Sequence, residues 1–367
     1  MKRSRIVYFL FLFSGITALI YEVVWTRMLT LAFGHTVFSV SIVLASFMAG
    51  LGFGSYFSGH AINHIGGKKT QSDSSSLSRD FSEDLGTSSL LLIYGWIEIA
   101  LFLLCLVVSL ILFKFSVIYS WFSFFVPESI VVQNIFKSFL AFILMFIPAS
   151  LMGATLPIIS QYYITDNIRL DTRLGLLYGI NTFGAALGCL LTGFFLIANF
   201  GVLQTVLAAT VLNLFVGISA IRIYQESLES SKGLHFPRFT IPKISWEGDQ
   251  WLWIVVSFVC GFTALSYEVL WTRLLIFSTS STVYSFSMML GVFLIGIALG
   301  SFLVVFVFRS SLNLRTVLIL LQAGIGLYVI GSLYNMEQLL STPWNSYNLQ
   351  KPAFVFWRYF LDSSALM

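Results

Sequence analysis

Charge is what this chain has least of: Asp, Glu, Lys and Arg make up 10% of its 367 residues, against about 25% in an ordinary soluble domain. That scarcity excludes the two soluble domains that the length alone would allow. Cysteine is scarce as well. Cys105, Cys189 and Cys260 fall inside apolar stretches, at spacings that suit neither a metal site nor a disulfide framework, and read as buried structural thiols. No glycine-rich turn follows a strand-like run, and no acidic cluster lies in a soluble α/β context, so no cofactor motif is present. His60 and His64 have i, i+4 spacing, but two histidines beside a polar loop are a weak basis for a metal site. The pI near 8.9 does not mark a nucleic-acid binder, because the basic residues are spread over the loops between apolar blocks.

What is abundant is apolar surface: 57% of the residues are hydrophobic and mean hydropathy is +0.89. It comes in blocks of roughly 20 residues or more, enough to cross a hydrocarbon core of about 30 Å at about 1.5 Å per residue. Inside that core each backbone polar group needs an internal partner, so the blocks are expected to be helices. The expected spans are 6–31, 36–58, 89–114, 132–163, 174–197, 202–223, 251–277, 282–308 and 314–335, with a tenth beginning near Ala353. Pro148 and Pro157 are expected to kink the fourth. The first apolar run continues to Leu31, too far for a signal-peptide core, and reads as an uncleaved helix.

Two polar stretches interrupt the pattern. Residues 68–88 are Ser-rich and charged, with too little apolar surface to fold alone. Residues 224–250 contain Pro237 and Pro242 and read as a linker dividing 1–223 from 251–367. With the N-terminus in the cytoplasm, fourteen of the twenty Lys and Arg residues fall on the inner side, the bias that sets this orientation.

Residues 15–55 align without a gap to 261–301, with 20 of 41 positions identical. One copy reads GITALIYEVVWTRML and the other GFTALSYEVLWTRLL, and Gly50, Gly54 and Ser55 recur as Gly296, Gly300 and Ser301. This is an internal duplication. The copies begin six expected helices apart, so both should cross in the same direction. A parallel repeat of this kind is the pattern of the major facilitator fold. The expected fold is therefore an all-α polytopic membrane protein with six helices in a first half and three to four in an incomplete second. The final residues read as the start of a fourth helix, so the chain reads as a fragment or an early-terminated frame.

The duplicated ALxYEVxWTR, with GLGFGSY at 50–56, PASLMGATLP at 148–157 and LLYGINTFGAALG at 176–188, resembles a known family. Its members are bacterial fused membrane proteins with a major-facilitator-like part and a spermidine-synthase-like domain. The resemblance implies a membrane module preceding an aminopropyltransferase-like domain, and polyamines as the related chemistry. These residues contain no such catalytic domain, so no enzyme activity is assigned to them. Residues 59–68 (GHAINHIGGK) keep the glycines and one lysine of the facilitator loop but lack its acid and arginines, which weighs against ordinary alternating access.

Ionisable residues at membrane depth cost about 2.5–3.5 kcal/mol each at a helix centre and usually face a protein interior or a wet cavity. Glu22 and Glu268 are the leading candidates. Two readings stand. In one, the repeat mates pair reciprocally, Glu22 with Arg273 and Glu268 with Arg27. In the other, the carboxylates bind a small organic cation, with Tyr21, Trp25, Tyr267 and Trp271 supplying aromatic faces. Glu98 is a lone acid expected either at the inter-helix cavity or at a solvated helix end, and Asn181 and Asn213 are expected to bond between helices. Two functions follow: a transporter-like module handling a small cation such as a polyamine, or a structural anchor for a spermidine-synthase-like domain or protein. The lipid bilayer is the one partner common to both.

Overall fold

The computed structural model describes residues 2–34, 36–66, 76–122, 124, 127, 129–163, 170–229, 250–279, 281–307 and 314–341. Among the described residues the chain is helical, with no strand. The helices are α1 (Lys2–Phe33), α2 (Thr36–Gly66), α3 (Ser76–Phe113), α4 (Phe115–Phe122), α5 (Ile130–Tyr163) and α6 (Leu170–Leu191). A π-helical turn, Thr192–Leu196, joins α6 to α7 (Ile197–Glu229), followed by α8 (Gln250–Thr279), α9 (Thr282–Val307) and α10 (Leu314–Ser341).

Seven stretches are long and apolar enough to cross a membrane, and Thr316–Ser332 is a shorter apolar helix. The chain is a multi-pass membrane protein. One stretch, Leu174–Glu226, has 53 residues, about 80 Å at the helical rise and far more than one crossing needs. It is not one rod. Gly201 holds φ 77° and ψ 174°, a conformation that residues with a Cβ avoid, and breaks the helix there. The break falls between the expected spans 174–197 and 202–223.

Three expectations change. α3 begins at Ser76, inside the stretch expected to be unstructured. α7 runs to Glu229, into the expected linker; the rest of that linker, 230–249, lies outside the described residues, as do 67–75 and the tenth span. α4 has no counterpart among the expected spans. It packs Phe115 and Tyr119 inward, and the Lys137 ammonium lies 4.4 Å from the Tyr119 ring centre. Pro148 and Pro157 both lie inside the continuous α5.

Without a hydrophobic drive between helices in lipid, small residues and a few hydrogen bonds set the packing. Three bonds join α1 to α3, from Tyr94 to the Leu10 carbonyl, Ser14 to Glu98 and Trp25 to Ser109. Each links residues 84 apart, so α1 and α3 run parallel in register. α2 lies along α5, where Gly50 and Gly54 meet Ala149 and the Ser150 carbonyl, and Gly153 meets Leu51. α1 lies along α6, with Gly184 and Gly188 under the carbonyls of Leu12 and Ile16. Gly95 and Gly217 bring α3 and α7 together.

α9 attaches to this first half along α6. Gly179 meets Phe302, Gly291 meets Leu190 and Gly193 meets Ser287, a falling sequence that makes α6 and α9 antiparallel. Two apolar clusters lie on either side of α1. Tyr21, Trp25, Phe47, Cys105 and Met145 form the core of the first half. Val23, Leu44, Cys189, Phe286 and Leu290 fill the seam between that half and α9.

Candidate functional site

The repeat places one acid on α1 and its mate on α8, and the seam brings them together. Glu22 is 2% exposed and Glu268 fully buried. Each lies within electrostatic range of the other, and Cys189 on α6 lies within range of both. The Cys189 thiol donates to the Ser287 carbonyl on α9 at 3.3 Å. Oε1 of Glu22 and both carboxylate oxygens of Glu268 are buried without a hydrogen-bond partner among the described residues. The hydroxyls of Ser287 and Thr272 are buried and unpartnered there as well.

This grouping has one chemical meaning. Carboxylates taken out of water lose several kcal/mol of solvation each, and two like charges in one apolar seam repel. The pair needs positive charge, as a bound cation or as protons. Cys189 is expected only as a buried thiol, and neither Ser287 nor Thr272 is among the expected site residues. A signal for two of them was present, since Thr26 and Ser41 recur in the repeat as Thr272 and Ser287.

The arginines do not supply that charge. Among the described residues neither carboxylate is ion-paired: Arg273 is exposed and Arg27 half-buried, so the reciprocal pairs expected from the duplication are not formed. Five residues separate each Glu from the Arg on its own helix, about 140° around the axis. The carboxylates turn into the seam while the arginines, nearer the helix ends, are free to reach the interface.

The aromatic residues do not frame the acids either. Tyr21 and Trp25 stack with ring centres 5.5 Å apart on the face of α1 that fills the first-half core. The Trp25 indole donates to Ser109 Oγ at 2.8 Å, and Asn213 Nδ2 donates to the Tyr21 hydroxyl at 3.3 Å. Trp271 packs with Leu275 and Met289, with Tyr267 half-buried beside them.

Glu98 does not lie at a solvated helix end. It is fully buried within the first half, where Ser14 Oγ donates to its Oε1 at 2.5 Å and its Oε2 has no partner among the described residues. Asn181 is half-buried and backs onto Gly15, so its place is in packing. Asn213 bridges α7 to α1, as expected. His60 Nδ1 donates to the Tyr56 carbonyl at 3.1 Å, one turn back, and the His64 side chain lies outside the described residues. Among the described residues no three His, Cys, Asp or Glu side chains come together.

No family model, curated protein or solved structure matches the chain. The functional reading rests on the geometry of the site and on the duplication.

Proposed function

We propose that this chain is a transporter-like membrane module that binds a small cation between Glu22 and Glu268, at the seam of a parallel, major-facilitator-like repeat. The observation that carries the reading is the pair itself: two buried carboxylates on repeat-related helices, next to Val23 and Val269 of one apolar seam and without a counter-charge among the described residues. Helix directions support the repeat. α6 runs parallel to α1 and antiparallel to α9, so α9 runs as α2 does, its mate in the duplication. The basic loops favour a cytoplasmic N-terminus, and the resemblance to bacterial fused membrane proteins favours a bacterial inner-membrane setting. Resemblance to the fused membrane proteins favours an amine, a polyamine among them, as the cation.

In this arrangement the carboxylates are occluded, so entry requires α8 and α9 to part from α1 and α6. A second reading, a structural anchor for an aminopropyltransferase-like partner, is favoured by the tight apolar wall of Val23, Leu44, Phe286 and Leu290 around the acids. Equilibrium binding of labelled spermidine and putrescine to the purified chain separates the two. Saturable binding that Glu22→Gln and Glu268→Gln each abolish supports the cation site. Binding absent for every amine, with both variants losing thermal stability, supports the anchor.

A further inference from the structure

The duplication contains five glycines in its first copy, Gly15, Gly34, Gly50, Gly52 and Gly54, and only three recur in the second, as Gly261, Gly296 and Gly300. The three that recur are the three that the first copy uses for close contact. A Cβ at Gly15, Gly50 or Gly54 would meet the backbone of Asn181, Phe146 with Ala149, or Ser150. At Gly34 and Gly52 it would meet nothing within 4 Å, and the second copy has Ser280 and Ala298 there.

In the second copy the three retained glycines all face open space: among the described residues nothing lies within 4 Å of a Cβ at Gly261, Gly296 or Gly300. A serine behaves in the same way. Ser55 Oγ on α2 reaches across to the Gly153 carbonyl of α5 at 2.8 Å. Its mate Ser301 is retained, yet its hydroxyl turns back to the Ile297 carbonyl of its own helix at 2.8 Å. Glycine weakens a helix and offers lipid chains no side chain to pack on, so lipid contact alone gives no reason to keep these residues.

We infer that the face of α9 bearing Gly296, Gly300 and Ser301 is a docking face for a transmembrane helix of the α5 kind. That occupant is apolar, runs parallel to α9, and presents an edge of small residues spaced as Ala149, Ser150, Gly153 and Ala154 are. The first copy shows what covers this surface when it is covered: small-residue turns of α5 bring backbone against the two glycines, and a backbone carbonyl accepts from the serine. Gly261 marks the neighbouring position, which α6 fills for Gly15.

The test uses a dye-labelled peptide of residues 130–163, co-reconstituted with the full chain in phosphatidylcholine/phosphatidylglycerol vesicles and quantified by co-purification. Saturable binding is expected, weakened about tenfold or more by Gly296→Ile with Gly300→Ile and unchanged by Gly52→Ile. A peptide carrying Ser150→Leu and Ala154→Leu, which leaves the chain itself untouched, is expected to lose binding to the same extent. No saturable binding, or equal binding by the glycine double variant and by the leucine peptide, would overturn the inference.

Discussion

Residues 15–55 and 261–301 share twenty residues in register, yet the two copies live in different surroundings. Two pairs of shared residues at the seam are buried in both copies, Glu22 with Glu268 and Leu44 with Leu290. Away from the seam the copies diverge at several shared positions. Tyr21 is fully buried and Tyr267 half-buried; Gly50 and Gly54 touch α5, while Gly296 and Gly300 touch nothing among the described residues. The described helices cover the seam, while the carboxylates within it stay without partners among the described residues. The outward face of the first copy is covered by α3, α5, α6 and α7.

That contrast can be broken by matched substitutions. The largest difference is expected at the tryptophans. Trp25→Ala removes a buried ring, its stacking on Tyr21 and its bond to Ser109, and should cost about 3–5 kcal/mol in thermal unfolding followed by circular dichroism. Trp271→Ala should cost clearly less, its buried cluster comprising only Trp271, Leu275 and Met289. Equal losses would mean that the copies are equally packed.

At the glycines the sign should reverse. Gly54→Ala sets a methyl against the Ser150 carbonyl and is expected to destabilise by about 1–3 kcal/mol. Gly300→Ala meets nothing and should be neutral or stabilise by up to about 1 kcal/mol through helix propensity. At the acids the copies should agree. Without added cation, Glu22→Gln and Glu268→Gln should each raise stability by about 1 kcal/mol, since an amide in the apolar seam needs neither a cation nor a proton to neutralise it. Opposite effects of the two would break the symmetry of the site. The smallest contrast is expected at the serines. Ser55→Ala should cost about 1 kcal/mol by losing its bond to α5, and Ser301→Ala no more than about 0.5 kcal/mol.

Much of this architecture was legible in the residues. Long apolar blocks have one solution in lipid, so the expected spans that fall on described residues are helical, and Gly201 sits at the expected break. The duplication by itself singles out Glu22 and Glu268. Their surroundings were not legible, because the direction in which a side chain leaves one helix does not say which helix stands opposite. That is why the arginine pairing failed and why Tyr21 and Trp25 proved to be core residues. Glu98 is the clearest instance: its partner Ser14 lies 84 residues away, a relation that only the parallel packing of α1 on α3 creates. The start of α3 at Ser76 was hidden for another reason, since composition marks a stretch as polar without excluding a helix that continues beyond the bilayer.

The most direct test of the cation site is the thermal midpoint of the purified chain across a panel of amines and alkali cations, with Glu22→Gln, Glu268→Gln and Glu98→Gln beside the wild type. A ligand bound only by the folded state stabilises it by about 2.7 kcal/mol at a hundredfold excess over its dissociation constant. At least one cation is expected to raise the midpoint of the wild type and of Glu98→Gln, and to leave both seam variants unmoved. A panel in which no cation raises the wild type, or in which the seam variants rise equally, would contradict the account.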